Sequence, residues 1–158
     1  MTGSKAVQAD RADAGQLREL LALHEAALAS MSHGLCMVDA GQRLALFNRR
    51  FIQLFEVPAE KVRIGMPMSE LIALSSASGN FPAAQIAEVA RRRLDLMARG
   101  KPFRLLRQMS RGRTFALDYR PLANGGWVTL VDDVTERQHK EYELRVKFER
   151  YHQAIAQM

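Results

Sequence analysis

Apolar positions along the chain change period three times, and the first period is helical. From Asp13 to Met31, residues Leu17, Leu21, His24, Leu28 and Met31 step by four and three alternately. That is the seam of a coiled coil or long amphipathic helix. The stretch is rich in Leu, Ala, Glu, Gln and Arg, which favour helix. Asp13 is its expected N-cap, and Gly15 weakens the first turn. Residues 1–12 read as a leader that is disordered or derived from an expression vector. From Glu136 the pattern returns as Leu144, Phe148, Tyr151, Ile155 and Met158. One constant offset carries Leu17 to Leu144, Leu21 to Phe148, His24 to Tyr151, Leu28 to Ile155 and Met31 to Met158. Two amphipathic helices share such a heptad by default. The alternative is a second copy of the same module in a longer parent chain, the exit helix of one being the entry helix of the next.

Between these helices the pattern switches to strands and short helices. Gly34–Asp39 is a short apolar run that ends in a tight turn at Asp39-Ala40-Gly41-Gln42. Arg43–Phe47 is the return strand of a hairpin. Asn48 caps a helix over Arg49–Phe55, with Phe51, Leu54 and Phe55 on one face. Pro58, Gly65 and Pro67 interrupt the next stretch, leaving short helices near 59–62 and 68–74 and a loop over 75–82. A longer helix runs from Ala83 to Arg99, with Ile86, Val89, Ala90, Leu94 and Met97 sharing a face and Gly100 at its end. Three strands complete the middle of the chain. They are Phe103–Met109, then Thr114–Leu122, with Phe115, Leu117 and Tyr119 facing one way, then Trp127–Asp133. Asn124-Gly125-Gly126 turns the last hairpin, and Asp133 or Thr135 is the expected cap of the final helix. The fold class is α+β: two hairpin blocks around a helical insert, able to join in one five-stranded antiparallel sheet.

Composition narrows the function. The 158 residues carry 23 Lys+Arg against 17 Asp+Glu, a net charge of +6. This is an ordinary globular mixture with room for a real core. No apolar run reaches the length of a membrane span, and the N-terminus lacks a secretory signal's apolar segment. A single cysteine, Cys36, excludes a disulfide framework and any all-cysteine metal cage. The expected location is the cytoplasm, with no membrane contact by this segment.

The residues of the two hairpin blocks resemble a family. Ser32-His33-Gly34-Leu35-Cys36-Met37-Val38-Asp39 resembles the first strand of a PAS domain, the small sensory module of bacterial signalling proteins. Gly41–Asn48 is similar to its second strand and helix-capping asparagine. Gly112–Leu122 with Gly125-Gly126-Trp127-Val128 resembles its last hairpin. Asp132-Asp133-Val134-Thr135-Glu136-Arg137 resembles the motif that ends most such domains and joins them to an output helix. The resemblance covers roughly residues 25–140. It implies a PAS-like sheet with a helical insert over residues 32–134, a dimerisation helix over 13–31 and a signalling helix over 135–158. It also implies a homodimer, joined covalently to a second PAS domain or to an output domain such as a histidine kinase or a cyclic-di-GMP enzyme. Leu17, Leu21, Leu28 and Met31 are the expected dimer contacts. Asp133 and Thr135 are the expected coupling residues, because a carboxylate and a hydroxyl there can bind the first free N–H groups of the helix and fix its exit angle.

The resemblance places a pocket between the sheet and the insert. Met37, Phe51, Phe55, Tyr119, Trp127 and Thr129 are its expected ligand contacts, with Leu46, Leu71, Ile86, Phe115 and Leu117 as further lining. Haem-binding relatives use a histidine on the long helix before the third strand, and Ala83–Arg99 holds none. Flavin-binding blue-light relatives carry a cysteine in the helical insert, and this insert holds none. Haem and flavin are therefore disfavoured, and the histidines show no zinc spacing. A small organic molecule or no ligand at all remain as the alternatives.

Two other readings compete. No Gly-x-Ser-x-Gly, phosphate-binding glycine loop or His-Glu-x-x-His supports catalysis by this chain. Arg91, Arg92, Arg93, Arg99, Lys101, Arg104, Arg107, Arg111 and Arg113 meet only Asp95 in their stretch. Such a surface suits nucleic acid or an acidic protein partner in a transcription regulator. A solvated helix face and an arginine-guarded strand edge account for it without a partner. No recognisable nucleic-acid-binding motif accompanies the charge, so that reading stays secondary.

Overall fold

The two hairpin blocks close into a single sheet. The computed structural model describes residues 3–158, apart from the side chains of residues 3–7, 9, 10, 12, 28 and 29. The elements are α1 (Gly3–Ser30), β1 (Gly34–Val38), β2 (Leu44–Phe47), α2 (Arg49–Phe55), α3 (Met68–Ala77), α4 (Ile86–Ala98), β3 (Phe103–Gln108), β4 (Thr114–Pro121), β5 (Trp127–Asp133) and α5 (Thr135–Ala156). All neighbouring strands are antiparallel, in the order β2-β1-β5-β4-β3. First and last strands thus lie side by side, with Gly34 opposite Val131 and Val38 opposite Trp127.

Strand alternation sends Cys36, Val38, Phe115, Leu117, Tyr119, Trp127 and Val131 into one core with Phe51, Leu54 and Phe55 of α2, Met68 and Leu71 of α3 and Met97 of α4. The aromatic members meet at Phe51–Phe55, 4.8 Å, and Phe55–Phe115, 5.4 Å edge-on.

Asn48 seats α2 on the sheet. Its Oδ1 accepts the N–H groups of Phe51 (3.0 Å) and Leu35 (2.9 Å), and its Nδ2 donates to the His33 carbonyl (2.9 Å). One buried amide therefore caps the helix and satisfies β1. The close approach requires glycine in the strand: a Cβ at Gly34 would sit 3.0 Å from the Phe51 Cα.

The helices differ from the sequence pattern in two boundaries and one buried face. Helix α1 begins at Gly3, so Asp13 is interior and not its N-cap. Lys5, Ala6, Gln8 and Ala9 are good helix formers, and nothing in 3–12 breaks them. Helix α3 continues to Ala77, taking in Ser75 and Ser76 from the expected loop. Both serines are buried, and Ser76 Oγ donates to the Phe81 carbonyl at 2.8 Å. On α4 the buried side chains are Arg93 and Met97, while Leu94 is exposed.

The reason α3 extends is Asn80, which is wholly buried. Its Nδ2 lies 2.6 Å from the Phe55 carbonyl and 3.0 Å from Ser75 Oγ. Its Oδ1 accepts from Arg113 Nη2 at 2.7 Å, and its carbonyl accepts the Ser110 N–H at 2.8 Å. Arg113 also donates to the Leu54 carbonyl and lies over the Phe115 ring. This amide ties α2, α3 and the β3–β4 turn together through polar bonds inside the core.

Candidate functional site

A cavity of about 70 Å³ lies between the sheet and the helical insert. Its floor is set by strand register. One cross-strand row runs Cys36, Thr129, Tyr119, Phe103, and the next runs Gly34, Val131, Leu117, Leu105. Cys36, Thr129, Tyr119, Val131 and Leu117 line the cavity from these rows. Phe51 and Phe55 of α2, Leu71 and Ser75 of α3, and Val89 and Arg93 of α4 form the other walls.

Four of the six expected ligand contacts are brought together here: Phe51, Phe55, Tyr119 and Thr129. Leu71 and Leu117 join them, whereas Leu46, Ile86 and Phe115 do not line the space. Met37 does not either, because it alternates with Cys36 and Val38 and so takes the other face of β1. Trp127 points to the correct face but sits one row further along, opposite Val38, where it packs 5.8 Å from Phe103.

Cys36 and Arg93 are among the cavity residues that the sequence pattern missed. Cys36 lies on the inward parity of β1, and burial pushes its thiol up to about 12. Arg93 sits four residues from both Val89 and Met97, on the apolar stripe of α4, where a charge is out of place. It is only 5 % exposed, and its Nη1 donates to Gln42 Oε1 at 2.7 Å. Gln42 is itself in the left-handed region, φ 61°, at the β1–β2 turn. Burial lowers the pKa of Arg93, which Tyr119 and Cys36 oppose. Burial likewise raises the Tyr119 hydroxyl above its usual 10.0, and Arg107 and Arg93 oppose that.

The junction between β5 and α5 is bonded to the sheet. Thr114 N–H donates to Thr135 Oγ1 at 2.9 Å, and Val134 N–H donates to the Thr114 carbonyl at 2.9 Å. Asp133 Oδ1 accepts the Thr135 N–H at 3.0 Å and also the Thr135 hydroxyl. Neither expected cap holds the N-cap position: that is Val134, and Thr135 is the first helical residue. Asp133 still satisfies one first-turn N–H, from one residue further back. Beside it, Asp132 Oδ2 lies 3.5 Å from His33 Nε2 and 3.8 Å from Arg137 Nη2.

The remaining expected residues lie on the flanking helices and the basic stretch. Leu17 and Leu21 are exposed on α1, and Met31 is half-buried. The Leu28 side chain lies outside the described residues. On α5, Leu144, Phe148, Tyr151 and Ile155 are all exposed. The basic stretch is not one surface. Arg93 is buried, Arg107 lines the cavity, and Arg113 is held by Asn80. Arg91, Arg104 and Arg111 pair with Asp95, Asp118 and Glu56. Among the described residues no three His, Cys, Asp or Glu side chains are grouped to hold a metal ion. No helix among them is long and apolar enough to cross a membrane.

Comparison with known proteins places this arrangement. No curated protein sequence matches the chain. The PAS domain of Bordetella pertussis BvgS shares the fold at 19% identity and TM-score 0.57, over 83% of this chain and 98% of that one. The Escherichia coli DhaR(N)–DhaL complex matches at 16% identity and TM-score 0.51, over 80% of this chain and 40% of that one. A domain of a sensory box sensor histidine kinase/response regulator from Geobacter sulfurreducens matches at 17% identity and TM-score 0.49, over 74% of this chain and 96% of that one. The family profile described as PAS fold matches residues 28–142. Residue match and sheet topology agree, and the chain belongs to the PAS family.

Proposed function

We propose that this chain is a sensory PAS domain that binds a small organic molecule in the cavity and passes its occupancy to α5. One observation carries the reading. Strand β5 supplies Thr129 and Val131 to the cavity and then runs through Asp133 into α5, with no loop between them. A ligand that moves β5 therefore moves the Thr114–Thr135 bond and the exit angle of the helix. The exposed apolar seams of α1 and α5 suit a second copy of the chain, and paired helices with two packings form a bistable output. The output is a domain beyond α5 in a longer chain, of the histidine kinase or cyclic-di-GMP class. The chain is regulatory in this reading, and its expected location is the cytoplasm.

Native and denaturing mass spectra of freshly purified protein test the reading. A dimer carrying a stoichiometric extra mass, lost on denaturation, is expected. Amide exchange over residues 133–138 should change when that molecule is removed and restored. A bare monomer, or exchange that ignores the ligand, contradicts the proposal.

A further inference from the structure

Arg93 is buried with incomplete bonding. Its Nη1 is held by Gln42 and the neutral Tyr119 hydroxyl lies beside the guanidinium as an acceptor, but the enclosed Nη2 has no partner within 3.5 Å among the described residues. The guanidinium is coupled to Tyr119, Cys36 and Arg107, and all three line the cavity. None of them supplies negative charge at neutral pH: Tyr119 and Cys36 are held protonated by burial, and Arg107 adds a second cation. Among the described residues, no Asp or Glu lines the cavity. A buried charge without an opposite charge is costly, and so is a buried donor without an acceptor. A bound anion removes both costs.

The walls define which anion. Phe51, Phe55, Leu71, Leu117 and Val131 make much of the wall apolar, with donors from Arg93, Arg107, Tyr119, Thr129 and Ser75, so an anion that carries an apolar part matches it better than phosphate does. A guanidinium fork matches the two oxygens of a carboxylate. The volume of about 70 Å³ is under half of the roughly 150 Å³ chamber that holds benzene, which limits the ligand to fewer heavy atoms than benzene and its tail to one or two carbons. We infer that the cavity is the site of a short-chain monocarboxylate, its carboxylate on Arg93 and its alkyl tail against Phe51, Leu71 and Val131. The inference rests on the cavity being the sensory site and names what that site takes.

The test titrates the full chain with sodium acetate, against sodium chloride and sodium phosphate at matched ionic strength. It reads thermal midpoint and line broadening of carboxyl-13C-labelled acetate. Acetate should raise the midpoint saturably, and phosphate should match chloride. Arg93→Met should weaken acetate binding by about 10- to 100-fold, the worth of a charged hydrogen bond. Arg93→Lys should retain part of it. Val89→Trp fills the cavity from its half-buried side, leaves Arg93 in place and should also abolish binding; it decides the matter if Arg93→Met does not fold. No saturable acetate effect on the parent chain, or one that survives either Arg93→Met or Val89→Trp, overturns the inference. The two readings fail separately. A neutral molecule released on denaturation removes the carboxylate and keeps the sensor. Acetate binding without any change in α5 exchange keeps the carboxylate and removes the relay.

Discussion

The hydroxyl of Thr135 accepts the backbone N–H of Thr114 at 2.9 Å, so the first residue of α5 completes the hydrogen bonding of the first residue of β4. The contact spans 21 residues of sequence and is part-buried. It makes the start of the helix a member of the sheet.

Thr135→Val keeps the shape and deletes that acceptor. A part-buried N–H without a partner costs about 1–2 kcal/mol, which lowers the melting temperature by roughly 2–8 °C in a domain of this size. Thr135→Ser retains the oxygen and should stay close to the parent chain in the same melts. A loss in Thr135→Ser with none in Thr135→Val would assign the effect to the methyl group.

Asn80→Ala should be the most damaging polar substitution in the core. It strands Arg113 Nη2 and removes the donors to the Phe55 carbonyl and Ser75 Oγ. With several buried groups left unpaired, the expected loss is about 3 kcal/mol or more. Urea denaturation with an unchanged slope is the measurement.

Much of this core was legible in the sequence, and the exceptions have one physical cause. Apolar period and turn residues located all five strands, and Asn48 as cap of α2 came from one residue type in one place. Asn80 sat in a run of serines and a glycine that reads as solvent-exposed loop. Arg93 sat in a run of three arginines that reads as a solvated face. Both are polar residues made internal by partners distant in sequence, Arg113 and Gln42, and local pattern carries no information about such partners. Of the site, the aromatic walls were legible from parity. The row at which the cavity stops, which excludes Trp127, depends on cross-strand register.

Cys36 should make the fold sensitive to alkali. Its thiol is pushed from 9.0 up to about 12. Above pH 9 the unfolded chain gives up this proton while the folded chain keeps it, so stability falls as pH rises. The slope reaches about 1.4 kcal/mol per pH unit, and the contribution is whole below pH 9. Tyr119, raised above 10.0, steepens the fall at higher pH. Cys36→Ala should flatten the first part of this limb in urea titrations between about pH 9 and 11. In the native parent chain the thiol should resist iodoacetamide, and unfolding should expose it.

Leu21→Glu combined with Leu28→Glu places charge on the α1 seam. Light scattering should then report a monomer, with the melting of the core domain kept. A dimer that persists removes α1 as the main contact and leaves the α5 seam, where Phe148→Glu is the corresponding change.

The pairing of Gly34 with Val131 brings the start of β1 and the end of β5 to the same end of the sheet. Tension applied between α1 and α5 therefore acts at one end of the β1–β5 ladder. It opens that ladder like a zipper, one hydrogen-bonded pair at a time, where a pull from opposite ends would have to shear every pair together. Opening begins at Gly34 and Val131, the latter a cavity residue, and reaches Cys36 and Thr129 next. The domain is mechanically soft along the line joining its two helices, and a force of modest size on that line is felt at the cavity before it reaches the rest of the core.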